Sequence, residues 1–443
     1  MEWAMKQTFK VIPVDTNEAI LTLHPKNRKK LVLEERRHWT LCFGTQKMKL
    51  ALHYSKKLSS NHLALPHPVI RFLKLPITPE YELIRRKHDL IIGPYIGILA
   101  AGTNRGLLKS LDNLMDYCKN NTSIQGAIVA FSLEGTNRVN HTIRGYLYNG
   151  DKHSWEPGLF NYPAAIFKKT EASRKWVDHF ESIIENRIFN SKGIDKWKMH
   201  QLLSHSPNLK THLPETIIYR EIEDFHSFLS RHSDILVKPI DGSWGKDIRK
   251  ISRKSGGWDL NHMGKKKKRK YNNEQDLLSH LKNKLIPSKY IIQRGIDLLS
   301  INKRLVDFRV IMVKDRLGKW RQMGFVTRFG KTKSIVTNIS AGGLAEKGEI
   351  TLKNKMNMTD EEVFSLKKTM YKITYEICKT LDGYGHYGNL GIDMALDTNN
   401  HLWIIEVNNN NPDPTIALDM RDEQLFQNIL LSNMLYAKKL AGF

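Results

Sequence analysis

The sequence predicts a mixed α+β and α/β protein with more than one domain, and three observations carry that prediction. Short, partly alternating apolar runs with polar breaks fill residues 1 to about 85, as half-buried strands would. From about 88, strand-like runs alternate with apolar residues at helical spacing, the texture of an α/β unit. Near the end, GIDMALD and HLWIIEVN flank a turn rich in Thr398, Asn399 and Asn400, a hairpin signature. A chain of 443 residues exceeds the comfortable size of one core, so two or three domains are expected.

Composition narrows the class. Hydrophobic content of 40%, with nine Trp, fifteen Tyr and sixteen Phe, supports folded cores. The 70 Lys and Arg against 45 Asp and Glu give +25, which attracts phosphates, nucleic acids, anionic polymers or acidic peptides without ranking them. Cys42, Cys118 and Cys378 are scattered without metal-ligand spacing, as expected of reduced cytosolic thiols. The start lacks the apolar stretch of a signal peptide, and LIIGPYIGILAAG is too short and broken to span a bilayer. The expectation is a soluble, intracellular protein.

In the first 85 residues FKVIPVD, AILTL, KLVLEE, HWTLCFG and KMKLALHY read as strands, and the prolines of LPHPV and LPITP mark a boundary. LIIGPYIGILA reads as a buried strand, RGLLKSLDNLMDYCK as a helix and GAIVAFSLEG as a returning strand. Residues 171 to 186 read as an exposed helix. Asp195 can cap a following helix that carries Lys196. In ILVKPIDGSWGKDIRKI a strand delivers Lys238 before the flexible turn of Gly242, Ser243 and Gly245. Such a turn suits phosphate binding through backbone N–H groups, although a plain glycine hairpin with a surface lysine also explains it. The basic run 265–270 reads as a solvated, mobile loop.

KYIIQRGIDL is a buried strand breaking at Gly295, which suits an adenine-binding hinge. VDFRVIMVKD and RQMGFVTRFG form a hairpin in which Asp307 and Arg309 share a face, with Arg328 on the returning strand. VTNISAGGLAEKG is polar and glycine-rich, suited to face phosphates. Thr359 and Glu362 make a capping box for an amphipathic helix, and the tail is a second helix. In the last hairpin Glu406 and Asn408 point the same way and Asp393 can join them. Two carboxylates and an amide oxygen make a hard site of the kind Mg²⁺ accepts. A solvent-facing polar hairpin end is the plain alternative.

The order of DKW, LPET, VKPIDGSWGK, YIIQRGI, DFRV, TRF with TNISAGG, GIDMALD and IIEVN resembles the ATP-grasp superfamily over about residues 190 to 430. Within it the chain looks most like the YheC/YheD family of endospore-coat-associated proteins. The resemblance implies two α+β lobes holding ATP, at about 191–296 and 297–443, preceded by a Rossmann-like pre-ATP-grasp domain at 88–190 and a β-rich domain at 1–87. It assigns Lys196, Lys238, Ser243 and Gly245 to the ATP phosphates, Gln293, Arg294 and Ile296 to the adenine pocket, and Asp307 to the ribose. Arg309, Arg328 and Asn338 would face the phosphates and acyl intermediate. Asp393, Glu406 and Asn408 would hold Mg²⁺ or Mn²⁺. Three departures stand out: Asp247 where many relatives have glycine, Gln293 where an acidic residue is common, and EVNNNNPDP with its proline one place later than in E-x-N-x-x-P-G.

The resemblance implies an ATP-dependent carboxylate–amine ligase working through an acyl phosphate. Its substrates are an unknown carboxylate and amine, a peptide or anionic polymer among the options. It also implies a link to spore coat proteins, with a location in the cytoplasm, spore coat or forespore. Two alternatives compete: a structural coat protein that binds nucleotide without turnover, and a polyanion- or nucleic-acid-binding protein using the basic run. Clustered anions favour the ligase over the scaffold, and no nucleic-acid motif accompanies the lysines.

Overall fold

A computed structural model of the protein describes residues 7–119, 121–242, 247–263, 268–332 and 343–443. Strands Thr8–Val14, His62–Pro66, Ile20–Leu23, Gln46–Tyr54, Trp39–Phe43, Asp89–Gly93 and Tyr81–Arg86 pair in that order and close into a barrel. Phe9 opposite Tyr81 makes the closure. Alternation sends Phe9, Val11, Leu41, Phe43, Leu63, Leu65, Leu90 and Ile92 into its core.

Three expectations need correction here. KLVLEE is not a strand: Lys30 ends the helix Pro25–Lys30, and the chain turns through Leu31 and the left-handed Val32 (φ 50°), with the Leu33 N–H returning to the Arg28 carbonyl at 2.9 Å. The prolines of LPHPV start the helix His67–Leu73 packed on the barrel. LIIGPYIGILA is two strands, Asp89–Gly93 and Tyr95–Ala101, in different sheets, with Pro94 and its missing N–H between them. Trp39–Phe43 needs Asp89–Gly93 as its parallel partner, so the barrel runs past residue 87.

The second sheet has the order Ser154–Asn161, Thr142–Asn149, Ala127–Asn137, Tyr95–Ala101, Ala165–Lys168, Ile188–Phe189. Its last four strands are parallel. Helix Asn104–Cys118 covers one face through Leu107 and Leu114, and helix Arg174–Ile184 the other through Phe180 and Ile184. Helix coverage of both faces is what a parallel sheet requires.

The third sheet is antiparallel: Thr216–Ile218, Tyr290–Arg294, Asp234–Pro239, Arg249–Lys254, Gly257–His262, Arg269–Tyr271. Helices Ile222–Arg231 and Glu274–Lys282 bury Phe225, Phe228, Leu229, Leu277 and Leu281 against it. Part of the basic run is therefore not loop. Arg269 and Lys270 lie in an edge strand because Tyr271 pairs with Trp258, while residues 265–267 lie outside the described residues.

The fourth sheet has the order Leu344–Lys347, Trp320–Phe329, Arg304–Lys314, Asn389–Leu396, Leu402–Asn408. Helix Asp360–Asp382, started by the expected capping box, packs Met370, Ile373, Ile377 and Leu381 against Phe308, Val310, Leu390 and Ile392. The opposite face of the sheet divides lengthwise. At one end Ile311 and Val313 pack on the C-terminal helix Glu423–Leu440, whose Phe426, Ile429 and Met434 also join the core of the second sheet. At the other end that face carries Asp307, Arg309 and Asp393. All three cysteines are buried and unbonded. Among the described residues, no helix is long and apolar enough to cross a membrane.

Candidate functional site

The site begins with register. Asp307 lies opposite Arg328, Arg309 opposite Asp393, and Asp393 opposite Glu406, while Gly391 lies opposite Asn408. Facing residues on adjacent strands touch, so four strands contribute to one charged band. Strict alternation from the buried Leu402 and Ile404 would send Glu406 toward the core. A register shift between Asp393 and Met394 inserts one residue in the last strand and turns Glu406 and Asn408 to the site face instead.

The band is internally paired. Arg328 grips Asp307 with Nε at 2.7 Å and Nη2 at 2.5 Å, and its Nη2 also lies 2.9 Å from Asp393 Oδ2. Arg309 donates to both oxygens of Asp393, with Nη2 to Oδ2 at 3.0 Å. Burial alone would raise the Asp393 carboxyl, but Arg309 and Arg328 outweigh it and hold the group below its ordinary range. Arg328 is shifted the other way: burial opposes its charge, and Asp307 and Asp393 overcome that and raise it. Gly391 makes this crossing possible. A Cβ there would lie 3.0 Å from Pro412 and 3.1 Å from the Arg309 guanidinium.

Two lysines come from outside these strands: Lys196 from a helix whose Met199 and Leu203 join the core under the fourth sheet, and Lys238 from the third sheet. Asp195 caps helix Lys196–Ser204 by accepting from Lys198 N at 2.8 Å, which sets Lys196 at the first helical position. Its Nζ donates to the Gly242 carbonyl and lies 3.2 Å from Glu406 Oε1, linking the segment that follows strand Asp234–Pro239 to the last strand of the fourth sheet. Lys238, only 8% exposed, donates to Gln293 Oε1 at 2.7 Å, and Gln293 Nε2 donates to Thr216 Oγ1 at 2.9 Å. Burial pushes the Lys238 ammonium down to about 8. Glu406 works against that fall, and Lys196 adds to it.

The structure thus brings together Lys196, Lys238, Arg309, Arg328, Asp393, Glu406 and Asn408, and adds Asp307 to the same band. The Asp307 carboxylate is turned to Arg328. Gln293 is a buried partner of Lys238, Arg294 is exposed with its guanidinium 5.8 Å from the Trp403 ring centre, and Ile296 is half-buried beyond the strand. Ser243, Gly245 and Asn338 lie outside the described residues. Asp247 is fixed just before strand Arg249–Lys254. It accepts from Tyr290 Oη at 2.8 Å, lies 2.6 Å from His262 Nε2 and pairs with Arg249 at 2.9 Å.

The donor set can be tested against a divalent ion. Asn408 Nδ2 points back to the Gly391 carbonyl at 3.3 Å and Asp393 Oδ2 at 3.4 Å, which turns its Oδ1 away from both. Glu406 is 39% exposed and, among the described residues, forms its ion pair with Lys196. These two offer hard oxygens to a cation. Both Asp393 oxygens are committed to guanidinium groups.

Sequence reasoning passed over Thr216 and Gly391. Gly391 carries a readable signal, a residue without a side chain two places before Asp393 on the site face. Thr216 carries none.

A profile of the YheC/D like ATP-grasp family matches residues 185–440. The chain belongs to that family. It is 26% identical over 385 residues to endospore coat-associated protein YheD of Bacillus subtilis (strain 168), covering 83% of this chain and 83% of that protein. Endospore coat-associated protein YheC of the same organism is 27% identical over 279 residues, covering 60% of this chain and 75% of that one. Among solved structures, VanG D-Ala:D-Ser ligase from Enterococcus faecalis is similar at 14% identity and TM-score 0.44, over 78% of this chain and 98% of that one. The ATP-grasp ligase PsnB, solved with a phosphomimetic variant of a minimal precursor, Mg and ADP, is similar at 12% identity and TM-score 0.42, over 78% and 99%. Within this ATP-grasp family the expected fold class stands.

Proposed function

We propose that the protein is an ATP- and divalent-metal-dependent ligase that joins a carboxylate to an amine through an acyl phosphate. The observation that carries this reading is the charged band of Arg309, Arg328 and Asp393 set against Lys196 and the buried Lys238, in a member of an ATP-grasp family. Lys196 and Lys238 bind the phosphates. Glu406 and Asn408, with Asp393 beside them, would hold Mg²⁺ or Mn²⁺, which when bound neutralises phosphate charge. Arg309 and Arg328, fixed by Asp393 and Asp307, stabilise negative charge as it develops without having to reorganise.

A carboxylate alone is a poor acceptor of an amine, because oxide or hydroxide would have to leave. Attack of its oxygen on the γ-phosphorus expels ADP and forms the acyl phosphate. Attack of the amine on the carbonyl carbon then expels phosphate and forms the amide, with the amine proton passing to solvent. Positioning and charge neutralisation are most of what the phosphoryl step requires. Similarity to YheD and YheC extends the proposal to a role in endospore coat formation, inside the cell where ATP is supplied.

The test is capture. With ATP, Mg²⁺ and a pool of amino acids, small peptides and cell-wall precursors as carboxylates, hydroxylamine should be converted to a hydroxamate with release of ADP. A pool that yields neither hydroxamate nor substrate-dependent ADP contradicts the reading and favours a coat scaffold.

A further inference from the structure

Lys168 ends the strand Ala165–Lys168 and is 2% exposed. Its Nζ donates to two neutral acceptors, the Thr170 carbonyl at 3.1 Å and Asn410 Oδ1 at 3.3 Å. Among the described residues no carboxylate forms an ion pair with it, and Glu171 attracts it only from a distance. A buried ammonium held by neutral groups is costly, and such groups are normally paired. Lys314 on Asp382 at 2.9 Å and Arg328 on Asp307 obey that rule, whereas Lys238, on the Gln293 amide of the phosphate site, shares the exception. The next residue, Lys169, is accounted for by the Tyr117 hydroxyl at 2.6 Å and the Tyr117 ring.

Position supplies the second argument. From Tyr95–Ala101 the chain crosses to Ala127–Asn137 on one side, then returns with Ala165–Lys168 on the other, all parallel. The strand order therefore reverses beside Lys168, and in open α/β sheets ligands lie outside the carboxyl ends of strands at that point. Asn410 comes from the other side of the junction, two residues after Asn408. Its neighbour Asn409 is clamped to Ile194, accepting from the backbone N–H at 2.9 Å and donating to the carbonyl at 3.0 Å. The Lys168–Asn410 contact thus joins the second sheet to the segment carrying Glu406 and Asn408.

We propose that Lys168 and Asn410 bind the carboxylate of an amino-acid or peptide substrate, at the junction of the second sheet with the loop after Asn408. The proposal rests on the ligase reading and names the class of its amine substrate. One ammonium and one amide match the single charge of a carboxylate. A phosphate dianion would call for a second cation, and among the described residues no cation other than Lys168 hydrogen-bonds Asn410 or the Thr170 carbonyl. On binding, the carboxylate replaces a neutral acceptor of Lys168, and the Asn410 amide rotates to donate its Nδ2.

The test is binding of free amino acids and dipeptides, each beside its C-terminal amide, to the full-length protein with MgADP, by saturation-transfer NMR. At least one free acid should bind the wild type tenfold or more tightly than its amide. Lys168→Met should abolish that preference and Lys168→Arg should retain it in part, a rescue that a purely structural lysine would not give. Asn410→Asp, which places a carboxylate against Lys168 and keeps the lysine, should also abolish it. No free acid preferred by the wild type, or a preference that survives in Lys168→Met and Asn410→Asp, overturns the assignment. Failure of the ligase reading shows separately, as absence of hydroxamate from the activated carboxylate.

Discussion

Arg328 and Lys238 are both buried cations, one on each lobe, and they are held in opposite ways. Arg328 sits between Asp307 and Asp393 in a band where every buried charge has an opposite one in contact. Lys238 has a neutral amide as its hydrogen-bond partner, and Glu406 reaches it only through space. Lys168 resembles Lys238 in this respect. The difference separates two jobs. A cation locked by carboxylates is set in place before substrate arrives. A cation on neutral acceptors retains its attraction for an anion from outside.

The largest effect should come from breaking the locked band. Arg328→Met leaves Asp307 and Asp393 buried with one guanidinium fewer, and loss of one partner from a buried pair costs on the order of 3–5 kcal/mol. Urea unfolding should show that loss, and adding Asp307→Asn should recover part of it. A mutant as stable as the wild type would mean the band is not acting as a unit.

Breaking the unlocked cation should affect binding instead. A charge-assisted hydrogen bond contributes roughly 1.5–3 kcal/mol, so Lys238→Met should weaken MgATP tenfold or more in calorimetry without the loss of stability expected of Arg328→Met. Equal affinity would remove Lys238 from the phosphate site.

The smallest effect is on pH. Lys238 is charged in the folded protein below about 8, against an ordinary value of 10.5. Its share of ATP affinity is therefore present below about 8 and fades as pH rises through it. Its burial acts on stability in the reverse sense: below about 8 the folded state bears the full cost of the buried charge, which is relieved as pH rises toward 10.5. Lys238→Met should flatten the affinity profile near 8. An unchanged profile would assign the titration to another group.

What could be read from the sequence divides along the same line. The last hairpin, the capping box of Thr359 and Glu362, and a strand that delivers Lys238 are local patterns, and the structure contains all three. The mutual locking of Asp307, Arg328, Arg309 and Asp393 depends on which strands are neighbours, and alternation within one strand does not give sheet order. The face of Glu406 turns on a one-residue bulge that a run such as HLWIIEVN does not announce. KLVLEE has β-favouring residues, but it follows the end of the helix Pro25–Lys30 and is spent on the turn at Leu31 and Val32. AIFKKT carries no local pattern that singles out Lys168. Its partner Asn410 lies more than two hundred residues on.

The central claim is phosphorylation of a carboxylate, and isotope transfer tests it directly. Supplied with ATP, Mg²⁺, amines and carboxylates labelled with ¹⁸O, the protein should release phosphate carrying one ¹⁸O atom, with ADP as the nucleotide product. Label in AMP instead of phosphate would show adenylation. Unlabelled phosphate, or no substrate-dependent nucleotide turnover across the pool, would contradict the acyl-phosphate mechanism.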